Sequence, residues 1–132
     1  MRYLILFVLL NFSSFVKSQK NDYVWLWAND SSLDPGVESN VLDFNDGTRK
    51  LLRDTALFSI DQANASICDD EGHLLFYFNG CRIAGSDHQL VENGDSINYG
   101  NALKLIAGED CLYGYTGHQN SMILEDPYAK NK

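Results

Sequence analysis

The first strong strand signal along the chain is the unbroken apolar and aromatic run Tyr23-Val24-Trp25-Leu26-Trp27. The β-branched and aromatic content of this segment predicts a strand, with Tyr23, Trp25 and Trp27 on one face and Val24 and Leu26 on the other. Asn29-Asp30-Ser31-Ser32 and Asp34-Pro35-Gly36 are turn formers and predict a loop. Val41-Leu42-Asp43-Phe44 reads as a short strand closed by a turn at Asn45-Asp46-Gly47. The stretch Thr48 to Asp54 fits a helical turn or a further strand, and Leu57-Phe58-Ser59-Ile60 returns to strand character. Next come two strands, Asn64 to Cys68 and His73 to Phe78, joined by Asp69-Asp70-Glu71-Gly72. An Asn79-Gly80 hairpin then leads into Cys81-Arg82-Ile83-Ala84, completing a three-stranded meander; Asn-Gly suits a type I′ turn, whose two central residues need positive φ. Leu74 to Phe78 is apolar on both faces, so this middle strand is expected to be covered on both sides. Asp87 to Gly100 reads as loop, Asn101 to Ala107 as helix or strand, and Gly108 to Gly117 as loop. Ser121-Met122-Ile123-Leu124 reads as a last strand before Glu125-Asp126-Pro127. No clear internal repeat is visible.

The amino end has a different pattern. Arg2 precedes the apolar run Tyr3 to Leu10, and Val16-Lys17-Ser18 ends on a small residue. The run is far shorter than the roughly 20 residues a spanning helix needs, so residues 1–18 read as a cleaved signal peptide with Gln19 as the new terminus. Residues 19–132 are then one β-rich segment with no further membrane span. Removing the leader takes Arg2 and Lys17 but no acid, so 10 basic residues fall to 8 against 18 acidic ones, a net charge of −10. Such a balance argues against nucleic acid and anionic membranes, which both select basic surfaces. A 45% apolar content rules out a disordered tail, and three cysteines are too few for a disulfide-dense scaffold.

Several motifs together resemble a known family. They are Asn64-Ala65-Ser66-Ile67-Cys68-Asp69, Gly72-His73-Leu74-Leu75-Phe76-Tyr77, Asn79-Gly80-Cys81-Arg82-Ile83-Ala84, His88, Glu92-Asn93-Gly94-Asp95-Ser96-Ile97-Asn98 and Met122-Ile123-Leu124-Glu125-Asp126-Pro127. From about Trp25 to Pro127 the chain resembles the N-terminal part of large secreted β-propeller-like proteins of Bacteroidota. Those proteins often end in a type IX secretion sorting domain or a gliding-motility-associated C-terminal domain. The resemblance implies an extracellular or cell-surface protein built from four-stranded blades, and it carries over no catalytic residue. Family members continue for many strands beyond this point, so the chain reads as the first blade or blades of a propeller, incomplete at the C-terminus. The fold class expected is all-β, an antiparallel meander whose partners are further blades or a surface protein.

Export permits disulfides. Cys68 and Cys81 lie near opposite ends of the middle strand, some five residues or about 17 Å apart, too far for a bridge. Cys81–Cys111 is the expected pair, clamping the long polar loop onto the third strand, and Cys68 is expected to be a buried free thiol. His73, His88 and His118 show no zinc spacing. Asp69 to Gly72 and Asp43 to Gly47 carry calcium-type ligands, yet turn chemistry alone explains them. No nucleophile elbow or phosphate loop occurs, so no catalytic residue, cofactor or metal is assigned. Tyr23, Trp25 and Trp27 are expected to fill a core; exposed, they would stack on the sugar rings of a glycan. The sequence therefore predicts a non-catalytic structural or adhesive segment of a surface protein, with a small secreted carbohydrate-binding module as the rival.

Overall fold

The computed structural model describes residues 20–28, 37–95, 97–98, 100–106, 111, 114–115, 121–124 and 126. The proposed leader at 1–18, the Asn29 to Gly36 loop and His118 lie outside them. Among the described residues the regular structure is mostly strand. Strands β1 (Val24–Trp27), β2 (Val37–Asp43) and β3 (Lys50–Ala56) form one antiparallel sheet in the order β1-β2-β3. Strands β4 (Ala65–Cys68), β5 (Leu74–Phe78) and β6 (Ile83–Gly85) form a second in the order β4-β5-β6. A short helix, α1 (Asn101–Ile106), follows. The all-β expectation holds at this level, and the single meander read from the sequence is the second of two.

Cross-strand register explains which side chains turn inward. Leu26 faces Val41, which faces Leu52, while Trp25 faces Leu42, which faces Leu51. Val24, Leu26 and Val41 lie on the inner side and join Ala56, Phe58, Ile60, Cys68, Tyr77 and Ala84 in one buried cluster. Phe58 and Tyr77 pack with ring centroids 5.2 Å apart, each worth about 1.5–3 kcal/mol in apolar area removed from water. The sheets meet along β1 and β4. Ser66 Oγ donates to Val24 O at 2.9 Å, Cys68 N–H to Asn21 O at 2.8 Å, and Ile60 N–H to Ala28 O at 2.9 Å.

Several expectations need correction. Thr48 to Asp54, ambiguous in sequence, ends in strand β3, held by seven residue pairs with β2. Leu57 to Ile60 is buried or half-buried coil rather than strand, because its backbone donors go elsewhere: Leu57 N–H to the Tyr77 hydroxyl and Ile60 N–H to Ala28 O. The β5–β6 connection is not a type I′ Asn-Gly turn. Phe78 pairs with Ile83 and Asn79 N–H donates to Arg82 O, which makes Gly80 and Cys81 the central residues. Only Gly80 has positive φ (100°), the sign pattern of a II′ turn. Strand β5 is not covered on both faces either: Tyr77 is buried, but Leu75 is exposed and Leu74, Phe76 and Phe78 are half-buried. Ser121 to Leu124 is not a strand, and Met122 and Leu124 face solvent.

Candidate functional site

Strand β1 places its two tryptophans outward. Trp25 is 53% and Trp27 36% exposed, so the expectation that they fill a core is overturned. The reason is the alternation itself: Val24 and Leu26 take the inner side, and among the described residues no second layer covers the outer one. Beside them lies a groove of about 540 Å³ lined by Trp25, Leu26, Trp27, Asp61, Asn64 and Ser66. Trp25 is braced edge-on by Phe44, with centroids 5.9 Å apart at 68°. Asn64 is fixed by Nδ2 bonds to the carbonyls of Ile60 and Asp61, and Ser66 by its bond to Val24 O. Tyr23, expected to act with the tryptophans, is not part of this wall; its ring carries the Lys20 ammonium at 5.1 Å. Two indoles flanked by a carboxylate, an amide and a hydroxyl combine apolar area with directional polar groups, which is how small-ligand sites are built.

Cys81 and Cys111 are joined as a disulfide, Cα–Cα 6.5 Å across 30 residues, and Cys68 is free and buried. Burial pushes the Cys68 thiol up, which keeps it protonated and unreactive. Asn79, fully buried, organises the bridge. Its Nδ2 donates to Ser59 O (3.2 Å) and Cys111 O (3.1 Å), and its Oδ1 accepts from the N–H groups of Cys81 and Arg82. Because the side chain takes the Arg82 N–H, the Asn79 carbonyl is left to accept from Tyr115 N–H at 3.0 Å.

The acidic turns are occupied by their own backbone. Asp69 Oδ1 accepts from Glu71 and His73 N–H, and these bonds hold its carboxyl below the usual range, the His73 backbone contact leading. Asp43 Oδ1 accepts from Asn45, and Asp46 is held low by Lys50 and Thr48. Among the described residues no group of three or more His, Cys, Asp or Glu side chains is arranged to hold a metal ion.

One polar chain was not legible in the sequence. Asp54 on β3 lies 3.3 Å from His88 Nε2, His88 Nδ1 lies 3.1 Å from the Tyr77 hydroxyl, and that hydroxyl accepts from Leu57 N–H. It ties one sheet to the other across sequence separations of 34, 11 and 20. No local spacing announces it; the left-handed φ of His88 (57°) is a tertiary outcome. No known protein family matches the chain, and no curated protein or solved structure is significantly similar to it.

Proposed function

We propose that the chain is a non-catalytic, exported binding segment of a cell-surface protein, and that it holds a neutral glycan against Trp25 and Trp27. The observation that carries this reading is the exposure of both indoles on one strand face, beside a groove rimmed by Asp61, Asn64 and Ser66. A flat indole matches the C–H-bearing face of a sugar ring, while the carboxylate and amide suit its hydroxyls. Asp61 and the net charge of −10 left once residues 1–18 are removed favour neutral over sulfated or carboxylated chains. The leader read at 1–18 supports export; the two consecutive antiparallel meanders have three strands each, one fewer than the four-stranded blades the resemblance implies. The test is a titration with neutral and sulfated oligosaccharides, followed by tryptophan emission and calorimetry. A blue shift with neutral sugars in the unsubstituted protein, together with a calorimetric heat of binding that is lost in Trp25→Ala/Trp27→Ala, is the expected outcome; the double variant keeps no tryptophan, so calorimetry alone reports on it. Binding that survives the double substitution, or no response to any neutral sugar, overturns it.

A second reading has its own support. Trp25, Leu42 and Leu51 form one cross-strand apolar row on the outer side, which suits packing against a further blade. In a longer parent protein this reading predicts tryptophans shielded from acrylamide quenching, whereas the glycan reading predicts accessible ones.

A further inference from the structure

The two sheets treat their outer edges differently. Strand β6 is shielded by its own following loop: Ala84 bridges Leu90, Ile83 N–H donates to Gly94 O, and Gly85 N–H donates to Gln89 O. Strand β3 has no such cover among the described residues, although it runs for seven residues. Leu51 is 64% and Leu52 48% exposed, on opposite faces of the same strand. An uncovered edge of this length is a template for another strand.

The hydrogen-bond parity of β3 follows from its neighbours. Phe44 N–H bonds Tyr23 O, so in the unbroken antiparallel register the even-numbered residues of β2 point their backbone groups at β1 and the odd-numbered ones at β3. Asn40 and Leu42 thus serve β1, and Ser39, Val41 and Asp43 serve Asp54, Leu52 and Lys50. The groups left at the free edge belong to Leu51, Arg53 and Thr55. Thr55 N–H bonding its neighbour Asp54 Oδ1 at 2.8 Å, instead of β2, agrees independently.

We propose that β3 pairs antiparallel with β3 of a second copy of this chain, about a two-fold axis at Leu52. Only a two-fold centred on a residue sets outward groups against outward groups. Centred on Lys50, Arg53 or Asp54, it opposes like charges directly; centred on Leu51, it opposes Arg49 and Arg53 twice. Centred on Leu52, it sets Lys50 against Asp54 on both sides, Leu51 against Arg53, and Leu52 against its own copy. Centring on Thr55 or Ala56 also avoids like-charge pairs but engages at most three residues of β3, so among registers that pair more of the strand this one alone is free of them, and opposite charges across strands are favourable. It also extends the inner apolar row Leu26–Val41–Leu52 into the partner. The present partners of these charges do not prevent re-pairing: Lys50 lies 2.5 Å from Asp46, half-exposed, and Asp54 lies 3.3 Å from His88.

The register makes a sharp test. Leu52 opposite Leu52 is a non-hydrogen-bonded pair, with Cα atoms about 4.5 Å apart, within the range a disulfide spans. Leu52→Cys in the otherwise intact protein is expected to oxidise to a linked dimer, with Leu51→Cys at least about tenfold less efficient because it faces Arg53. Both positions are exposed, and Cys68 is buried, so neither folding nor background thiol chemistry interferes. Equal cross-linking of the two variants, or none in either, overturns the proposal. Sedimentation equilibrium of the unsubstituted protein should show mass rising with concentration, and Lys50→Asp should weaken that rise several-fold. A monomer at every concentration overturns the proposal and leaves the edge to a strand from elsewhere.

Discussion

The Tyr77 hydroxyl lies 3.1 Å from His88 Nδ1 while it accepts the Leu57 N–H at 2.9 Å, so one buried phenol joins the central strand of the second sheet to the segment leaving the first. Tyr77→Phe removes this joint and leaves two polar partners unsatisfied. The expected cost is about 1–3 kcal/mol, read as a lower urea midpoint at unchanged slope. Burial pushes the Tyr77 phenol above its ordinary value of 10.0. The folded state therefore holds this proton more tightly than the unfolded state does. The contribution is constant below pH 10 and is lost as pH rises through the raised value. Stability measured against pH should show this alkaline fall in the unsubstituted protein and a weaker one in Tyr77→Phe.

Asn79 satisfies four backbone groups from a fully buried position. Asn79→Ala is expected to cost about 3 kcal/mol, since each orphaned buried group is worth about 1–3 kcal/mol. Asn79→Asp should be worse, because it turns an acceptor toward the carbonyls of Ser59 and Cys111. Denaturation midpoints of the two variants check both the size and the order.

Neighbouring positions on β1 should lose stability by different amounts. Leu26→Ala opens the core and is expected to lose about 2–5 kcal/mol. Trp25→Ala gives up mainly the edge contact with Phe44 and should lose about 1 kcal/mol. The same denaturation series compares them, and a Trp25→Ala loss as large as that of Leu26→Ala would place the indole in the core after all.

The Cys81–Cys111 bridge closes 30 residues of sequence separation, which limits the unfolded chain by about 3–4 kcal/mol. Replacing both cysteines by serine should lower stability by roughly that amount. In the unsubstituted protein a thiol reagent should find one group, Cys68, and only after unfolding.

Asp69 gives an acid-side prediction. The backbone N–H of His73, ahead of its other partners, holds this carboxyl below 3.8. Its contribution is present above the unfolded value and is lost as pH falls through the lower folded one. A carbon-detected titration should find the Asp69 midpoint below 3.8, with the amides of Glu71 and His73 moving in step.

How far the sequence reveals this molecule depends on how local each cause is. Strands β4 and β5, and the turn between them, are legible because Asp69 and Gly72 act within five residues. The inward and outward division of β1 is legible too, but not which side is buried, because that depends on whether a second layer exists. Leu57 to Ile60 has the residues of a strand and lost that identity only because Tyr77 and Ala28 claimed its backbone from far along the chain. The Asn-Gly turn moved by one residue for a similar reason: the Asn79 side chain served Cys81, Arg82, Ser59 and Cys111 instead of simply capping a hairpin. Of the groove, the sequence offers Trp25 and Trp27 but not Asp61 or Ser66, which the fold brings beside them.

A two-fold axis through Leu52 runs perpendicular to the sheet and leaves its two faces distinct. Both copies then turn Trp25 and Trp27 to the same side, with five strand spacings, about 24 Å, between one β1 and the other. A ligand displayed densely on a surface would be met twice at once, and its retention would grow through effective concentration rather than through any new contact. A short soluble fragment of the same ligand would gain nothing.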